Sequence, residues 1–172
     1  MAGCNDDAGG GTHSELDLAV IAGQTLRVMV SSYAATGGDL DFLLDFLPDA
    51  GHVPDGGLFP GTPLDITDAG GGALRLVWSA SCVTTDVDYE VYEGALGSFY
   101  SHGPIVCSTQ GATAATIVPA PYDTYYLVVP ANLRREGSYG LDSSGVERPA
   151  GARGCLPQAI GVCSASLTAR QE

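Results

Sequence analysis

The constraint that governs this chain is a period of two. Leu16, Leu18 and Val20 alternate with Glu15, Asp17 and Ala19. Leu26, Val28 and Val30 alternate with Arg27 and Met29, and Leu40, Phe42, Leu44 and Phe46 with Asp41 and Asp45. A period of two sends successive side chains to opposite faces of a strand, whereas a helix needs a period near 3.6. The pattern returns further on. Leu64 and Ile66 open a short run, and Leu74, Leu76 and Trp78 share one face opposite Arg75. Val87, Tyr89 and Val91 line a third run, and residues 99–106 and 113–118 supply a fourth and fifth. Tyr125, Leu127 and Val129 line a sixth that ends at Pro130. No stretch carries a helical period, so the expected class is all-β.

Punctuation divides the chain. Residues 48–63 hold four Pro and four Gly without periodicity, and 48–61 read as a linker. The three runs before it form an antiparallel meander over residues 1–47, a partial β-sandwich. Its apolar face needs a second layer that residues 1–47 do not supply. The expectation is therefore a truncated domain whose natural chain extends before Met1. The runs after the linker, over 62–155, recur at the short spacing of an immunoglobulin-like sandwich. Residues 134–149 are a Gly/Ser-rich insertion before a last strand, and 156–172 read as a tail.

Charge excludes several functions. Acids number 20 against 7 bases, all of them Arg, for a net charge of −13. Such a chain is repelled by phosphate backbones and anionic membranes, so neither nucleic acid nor membrane insertion is expected. No apolar run approaches the ~20 residues of a membrane-spanning helix. Five cysteines lack any C-x-x-C spacing, which points to disulfides in an oxidising compartment rather than to zinc. Cys82 follows the second strand of the larger block and Cys107 ends the fourth. Cys155 and Cys163 close a short loop. The favoured pairs among the three possible arrangements are 82–107 and 155–163, leaving Cys4 odd.

Catalytic groups are sparse. The histidines are His13, His52 and His102, read as exposed loop residues. Gly137-Ser138-Tyr139-Gly140 falls one residue short of a nucleophile elbow. Asp86 with Asp88, or Glu90 with Glu93, read as solvated polar positions rather than an acid–base pair. Calcium is the one ion the pattern could hold: Asn5, Asp6 and Asp7 lie in a Gly-rich loop, and Asp39 and Asp41 flank a strand start. Turn formation explains the same residues. Eight tyrosines gather mainly in the larger block. Strict alternation turns Tyr92 and Tyr126 away from the core, where they could stack on a sugar or peptide.

Two families resemble parts of this chain. Cys4-Asn5-Asp6-Asp7, Ser14, Leu16, Ala22-Gly23-Gln24-Thr25-Leu26 and Gly37-Gly38-Asp39 resemble the C-terminal half of the bacterial pre-peptidase C-terminal domain. That resemblance implies a small β-sandwich appended to an exported protein, and for Cys4 a partner upstream. Residues 62–155 resemble a fibronectin type III domain. Leu74-x-Leu76-x-Trp78 matches its second strand, Tyr89-x-Val91 its third, and Pro121 followed by Tyr125, Leu127 and Val129 the approach to its sixth. The resemblance implies that Trp78 and Tyr89 are structural and that Tyr125 is a corner tyrosine whose hydroxyl ties to nearby backbone. The expected function is a non-catalytic accessory module of a secreted or cell-surface protein. It would space or dock other domains of its parent, or an extracellular polysaccharide or protein. The alternatives are a carbohydrate- or protein-binding sandwich, or a fragment of an exported hydrolase whose catalytic domain lies elsewhere.

Overall fold

The computed structural model describes residues 16, 18, 20, 24–30, 42–44, 46 and 48–163. The chain divides into two units, Met1–Leu44 and Asp45–Glu172.

In the smaller unit, residues 24–30 and 42–44 form no strand. Leu26, Val28 and Val30 are 44%, 58% and 51% exposed. Most of the meander expected here lies outside the described residues. Alternation gives a strand one apolar face, but only pairing and a covering layer hold it.

The larger unit holds six strands and, among the described residues, no helix. They are β1 (Asp65–Gly70), β2 (Ala73–Val77), β3 (Asp88–Ala95), β4 (Gly103–Val106), β5 (Ala114–Ile117) and β6 (Thr124–Ala131). Each overlaps one of the six runs expected from alternation. They form two antiparallel sheets, ordered β1-β2-β5 and β4-β3-β6. β1 and β2 are joined through Gly70, Gly71 and Gly72, all at positive φ (83°, 63° and 83°), a backbone that side chains with a Cβ resist.

The core between the sheets is Leu76, Trp78, Tyr89, Val91, Ile117 and Val128. Trp78 is 3% exposed and meets Tyr89 edge-on at 5.7 Å between ring centroids. The Tyr89 hydroxyl accepts the Ser81 N–H at 3.0 Å, so its polar end is satisfied. The face of β6 is the reverse of expectation. Val128 lies opposite Val91, and Tyr126 opposite Glu93, so Tyr126 and Val128 turn toward the core. Tyr125, Leu127 and Val129 lie on the outer face. Residues directly opposite on neighbouring strands share a face, and this register decides which apolar set goes inside when both sets are apolar.

The last strand is also missing from the described residues. After β6 the chain makes only isolated bridges: Ala131 with Glu136, Leu141 with Glu147, and Glu136 with Gln158. The 134–149 insertion instead lies over the outer face of β4-β3-β6, building a second core of Tyr92, Val129 and Tyr139 with Leu127 and Cys155. The expected linker, and the expected tail as far as residue 163, are built into this unit. Ala50 is wholly buried; its N–H reaches Ala159 O at 2.9 Å and its carbonyl receives Gly161 N–H at 2.7 Å. Buried peptide groups need partners, and each of these segments supplies the other's.

The disulfides are Cys82–Cys163 and Cys107–Cys155, which corrects the expected pairing. The pairing along 50 and 159–161 brings Cys163 back to Cys82, whose N–H bonds His52 O. Cys155 N–H bonds the Tyr92 hydroxyl on β3, beside the end of β4 from which Cys107 follows. Sequence proximity had favoured 155 with 163; the folded-over insertion separates them. The bridges span 81 and 48 residues, each contributing about 4 kcal/mol in the chain-entropy account. Non-reducing peptide mapping is expected to return these two links, and a Cys82–Cys107 peptide would contradict the fold. Trp78→Ala is expected to cost about 3–5 kcal/mol through the cavity it leaves, read by chemical denaturation; an unchanged midpoint would mean the β2 register is wrong.

Candidate functional site

The calcium candidates Asn5, Asp6, Asp7, Asp39 and Asp41 lie outside the described residues, as do Cys4 and His13. Among the described residues no cluster of His, Cys, Asp or Glu is arranged to hold a metal ion.

Of the two tyrosines expected on the surface, Tyr92 is fully buried. It does face away from the main core, but the insertion covers that face. Its hydroxyl lies 2.9 Å from Glu90 Oε2 and 2.7 Å from Glu136 Oε2, and accepts Cys155 N–H at 2.9 Å. Both glutamates are fully buried. Glu136 also accepts the Tyr139 hydroxyl at 2.6 Å and Leu156 N–H at 3.3 Å. A phenol has one proton, so Tyr92 can donate to only one of two carboxyls. The network closes when Glu90 is protonated: it donates to Tyr92, and Tyr92 donates to Glu136. Burial is the main cause that pushes Glu90 up to about 9, the nearby Glu136 adds to it, and the Tyr92 hydrogen bond opposes it. Burial likewise raises the Tyr92 and Tyr139 hydroxyls, keeping both protonated. Full burial denies this carboxyl pair to any substrate. Its work is to fasten the insertion to the sheet. Glu90 and Glu93, read as solvated, are not alike: Glu90 is this buried acid, while Glu93 accepts the Tyr126 hydroxyl at 2.9 Å.

The histidines are not all exposed either. His102 is 3% exposed. Its Nε2 donates to Pro149 O at 3.0 Å, which leaves Nδ1 to accept the Tyr125 hydroxyl at 3.1 Å. Burial lowers its pKa, favouring this neutral form. Tyr125 does tie its hydroxyl to backbone, but to Tyr100 N–H across the sheet end rather than to a corner beside its own strand. Its ring lies on Gly94, where a Cβ would overlap it. The hydroxyl of Ser138 is held by both oxygens of Glu147, at 2.9 and 2.8 Å. Asp86, half-buried, accepts Gly51 N–H at 2.8 Å and the Ser81 hydroxyl.

One accessible feature of this unit is a cleft of about 230 Å³ along β6, and a second recess of about 160 Å³ lies by Phe99, Tyr100, Tyr125 and Arg148. Tyr126, Leu127 and Val128 form the floor of the β6 cleft. The 52–64 segment makes one wall, where His52 and Phe59 stack at 4.1 Å between centroids. Residues 138–141 and Arg148 make the other. Burial lowers the His52 pKa against the pull of Glu147, Asp55 and Asp86. Tyr126 is thus near an accessible surface as expected, but half-buried, with its hydroxyl engaged by Glu93 and Thr124. Neither Arg148 nor Glu136 stands out in the sequence, because both sit in a segment that reads as loop.

The sheet order β1-β2-β5 against β4-β3-β6, with Trp78 and Tyr89 packed between, is that of an immunoglobulin-like sandwich lacking its final strand. The larger unit is thus a β-sandwich of two three-stranded antiparallel sheets among the described residues. No family model matches the chain, and no curated protein matches it. Among solved structures, a Fn3-like protein from Clostridium thermocellum is 21% identical, covering 52% of this chain and 80% of its own, with a TM-score of 0.35. The fn3 domain of human contactin 1 is 14% identical, covering 78% of this chain and all of its own (100%), with a TM-score of 0.36.

The buried acid sets a pH dependence. Glu90 binds its proton more tightly folded than unfolded, so its contribution is complete below its ordinary value of 4.5 and is lost as pH rises toward about 9. His52 and His102 are held below their ordinary value, so above about pH 7.5 they are neutral in both states and do not mask it. Unfolding free energy is expected to fall by up to ~1.4 kcal/mol per pH unit between about pH 7.5 and 9, and Glu90→Gln is expected to flatten that slope. An identical slope in the variant would place the titration elsewhere. Tyr139→Phe is expected to cost about 1.5–3 kcal/mol, the range for a hydrogen bond to a charged group, measured by the same denaturation.

Proposed function

We propose that this chain is a non-catalytic accessory part of a secreted or cell-surface protein, and that its fibronectin type III-like sandwich docks a partner domain or extracellular polymer. The observation that carries the reading is the β6 cleft, an accessible, largely apolar recess along one strand of the sandwich. Two disulfides closing long stretches of chain support an oxidising compartment. The net charge of −13 favours protein or neutral polymer partners over nucleic acid. The resemblance of residues 4–46 to a pre-peptidase C-terminal domain agrees with a parent protein that is exported and built from several domains.

The test pairs binding with turnover. Labelled protein on peptide and glycan arrays is expected to be retained by a restricted set of probes, and less so when Leu141, at the cleft wall, is changed to Asp. Casein, ester and glycoside panels are expected to show no turnover above a boiled control. Turnover removed by His52→Ala or Ser138→Ala, both cleft residues, would make the chain an enzyme and overturn the reading.

A further inference from the structure

The outer edge of β6 is only half closed. Pro130 O receives Gly137 N–H at 2.8 Å, on the side of β6 away from β3. In an antiparallel strand the peptide groups of every second residue point the same way. The N–H and C=O of Tyr126 and Val128 therefore share that outward side. Among the described residues, the only strand paired with β6 is β3. The chain that begins to pair at Glu136 and Gly137 peels away, because Ser138 N–H turns to Gly51 O at 3.0 Å. The unpaired stretch of edge is the floor of the 230 Å³ cleft.

We infer that this edge takes an extended, carboxylate-bearing peptide segment of a partner protein as an added strand, beside Tyr126 and Val128. The inference rests on the docking reading above and names the partner's chemistry. An unpaired strand edge offers main-chain hydrogen bonds that only another extended backbone can match in register. An added strand would place alternate side chains on the two faces of the sheet. One set would meet Val53 and Leu64 beside the main core, the other Tyr139 and Leu141 at the insertion. Apolar residues suit both. Arg148 lies at the cleft, where, after the Val146 and Ser144 N–H groups, its charge helps hold the exposed Asp142 carboxyl below its ordinary value without closing an ion pair among the described residues. A carboxylate on the incoming strand fits that position.

A second copy of this chain fits poorly. Two β6 edges pairing about a twofold axis would bring Arg148 toward its symmetry mate, like charge toward like, and leave neither with a carboxylate partner. A glycan could fill the recess but leave the peptide groups of Tyr126 and Val128 without regular partners.

A display library of random heptapeptides, selected against the whole chain, tests this. The selected peptides are expected to carry apolar residues at alternating positions with an Asp or Glu. Synthesised and added to the protein, they should slow amide exchange of Tyr126 and Val128 tenfold or more. Tyr125 and Leu127, already facing β3, should change little. Arg148→Glu should weaken binding at least tenfold, Arg153→Glu less than twofold, with melting of both variants unchanged. Peptides that bind without protecting Tyr126 and Val128 would overturn the edge inference and leave the docking reading standing. So would a chain that enriches no peptide but binds a glycan array. Binding seen only after deletion of residues 164–172 would assign the edge to the chain itself and also overturn it.

Discussion

One phenol fixes the outer layer of this molecule. The Tyr92 hydroxyl lies between Glu90 of its own strand and Glu136 of the insertion, and takes the Cys155 N–H besides. Removing two carboxyls from water is costly unless one is neutral and the other is fully hydrogen-bonded. Both conditions are met: Glu90 holds a proton, and Glu136 receives Tyr92, Tyr139 and Leu156. Loss of the insertion would expose Tyr92 and Val129 to water and free Glu90 to ionise.

The rest of the larger unit follows from that attachment. With Glu136 held, Tyr139 can stack against Tyr92 at 4.8 Å and His102 at 5.1 Å, and Cys155 lies where Cys107 can reach it. Gly137 is part of the same fit, since a Cβ there would collide with Gly51 O. The pull of the insertion onto the outer face also takes the chain off the β6 edge after Gly137. The buried acid pair and the open cleft are thus two results of one departure from a complete sandwich.

Strand positions were legible because turns and alternation mark them locally. Trp78 and Tyr89 were legible as core because only one face of their strands is apolar throughout. β6 was not, because Tyr125 to Val129 is apolar on both faces, and only cross-strand register decides between them. Glu90 was not legible either: with Asp88 and Glu93 close by it reads as one of several solvated acids, and only the folded-over insertion buries it. Glu136 and Arg148 were hidden for another reason. Their positions depend on contacts with residues far away in sequence, which no local pattern encodes. The same holds for Ala50, whose burial depends on residues 159–161.

Glu90 is a neutral acid at physiological pH inside the folded chain. Carbon-13 NMR of the glutamate side-chain carboxyls reports this directly, since each Cδ shift distinguishes acid from carboxylate. With Glu90 assigned through the Glu90→Gln variant, the account predicts an acid-type shift at neutral pH and a transition near 9. A carboxylate-type shift at neutral pH, with a transition near the ordinary glutamate value, would contradict it.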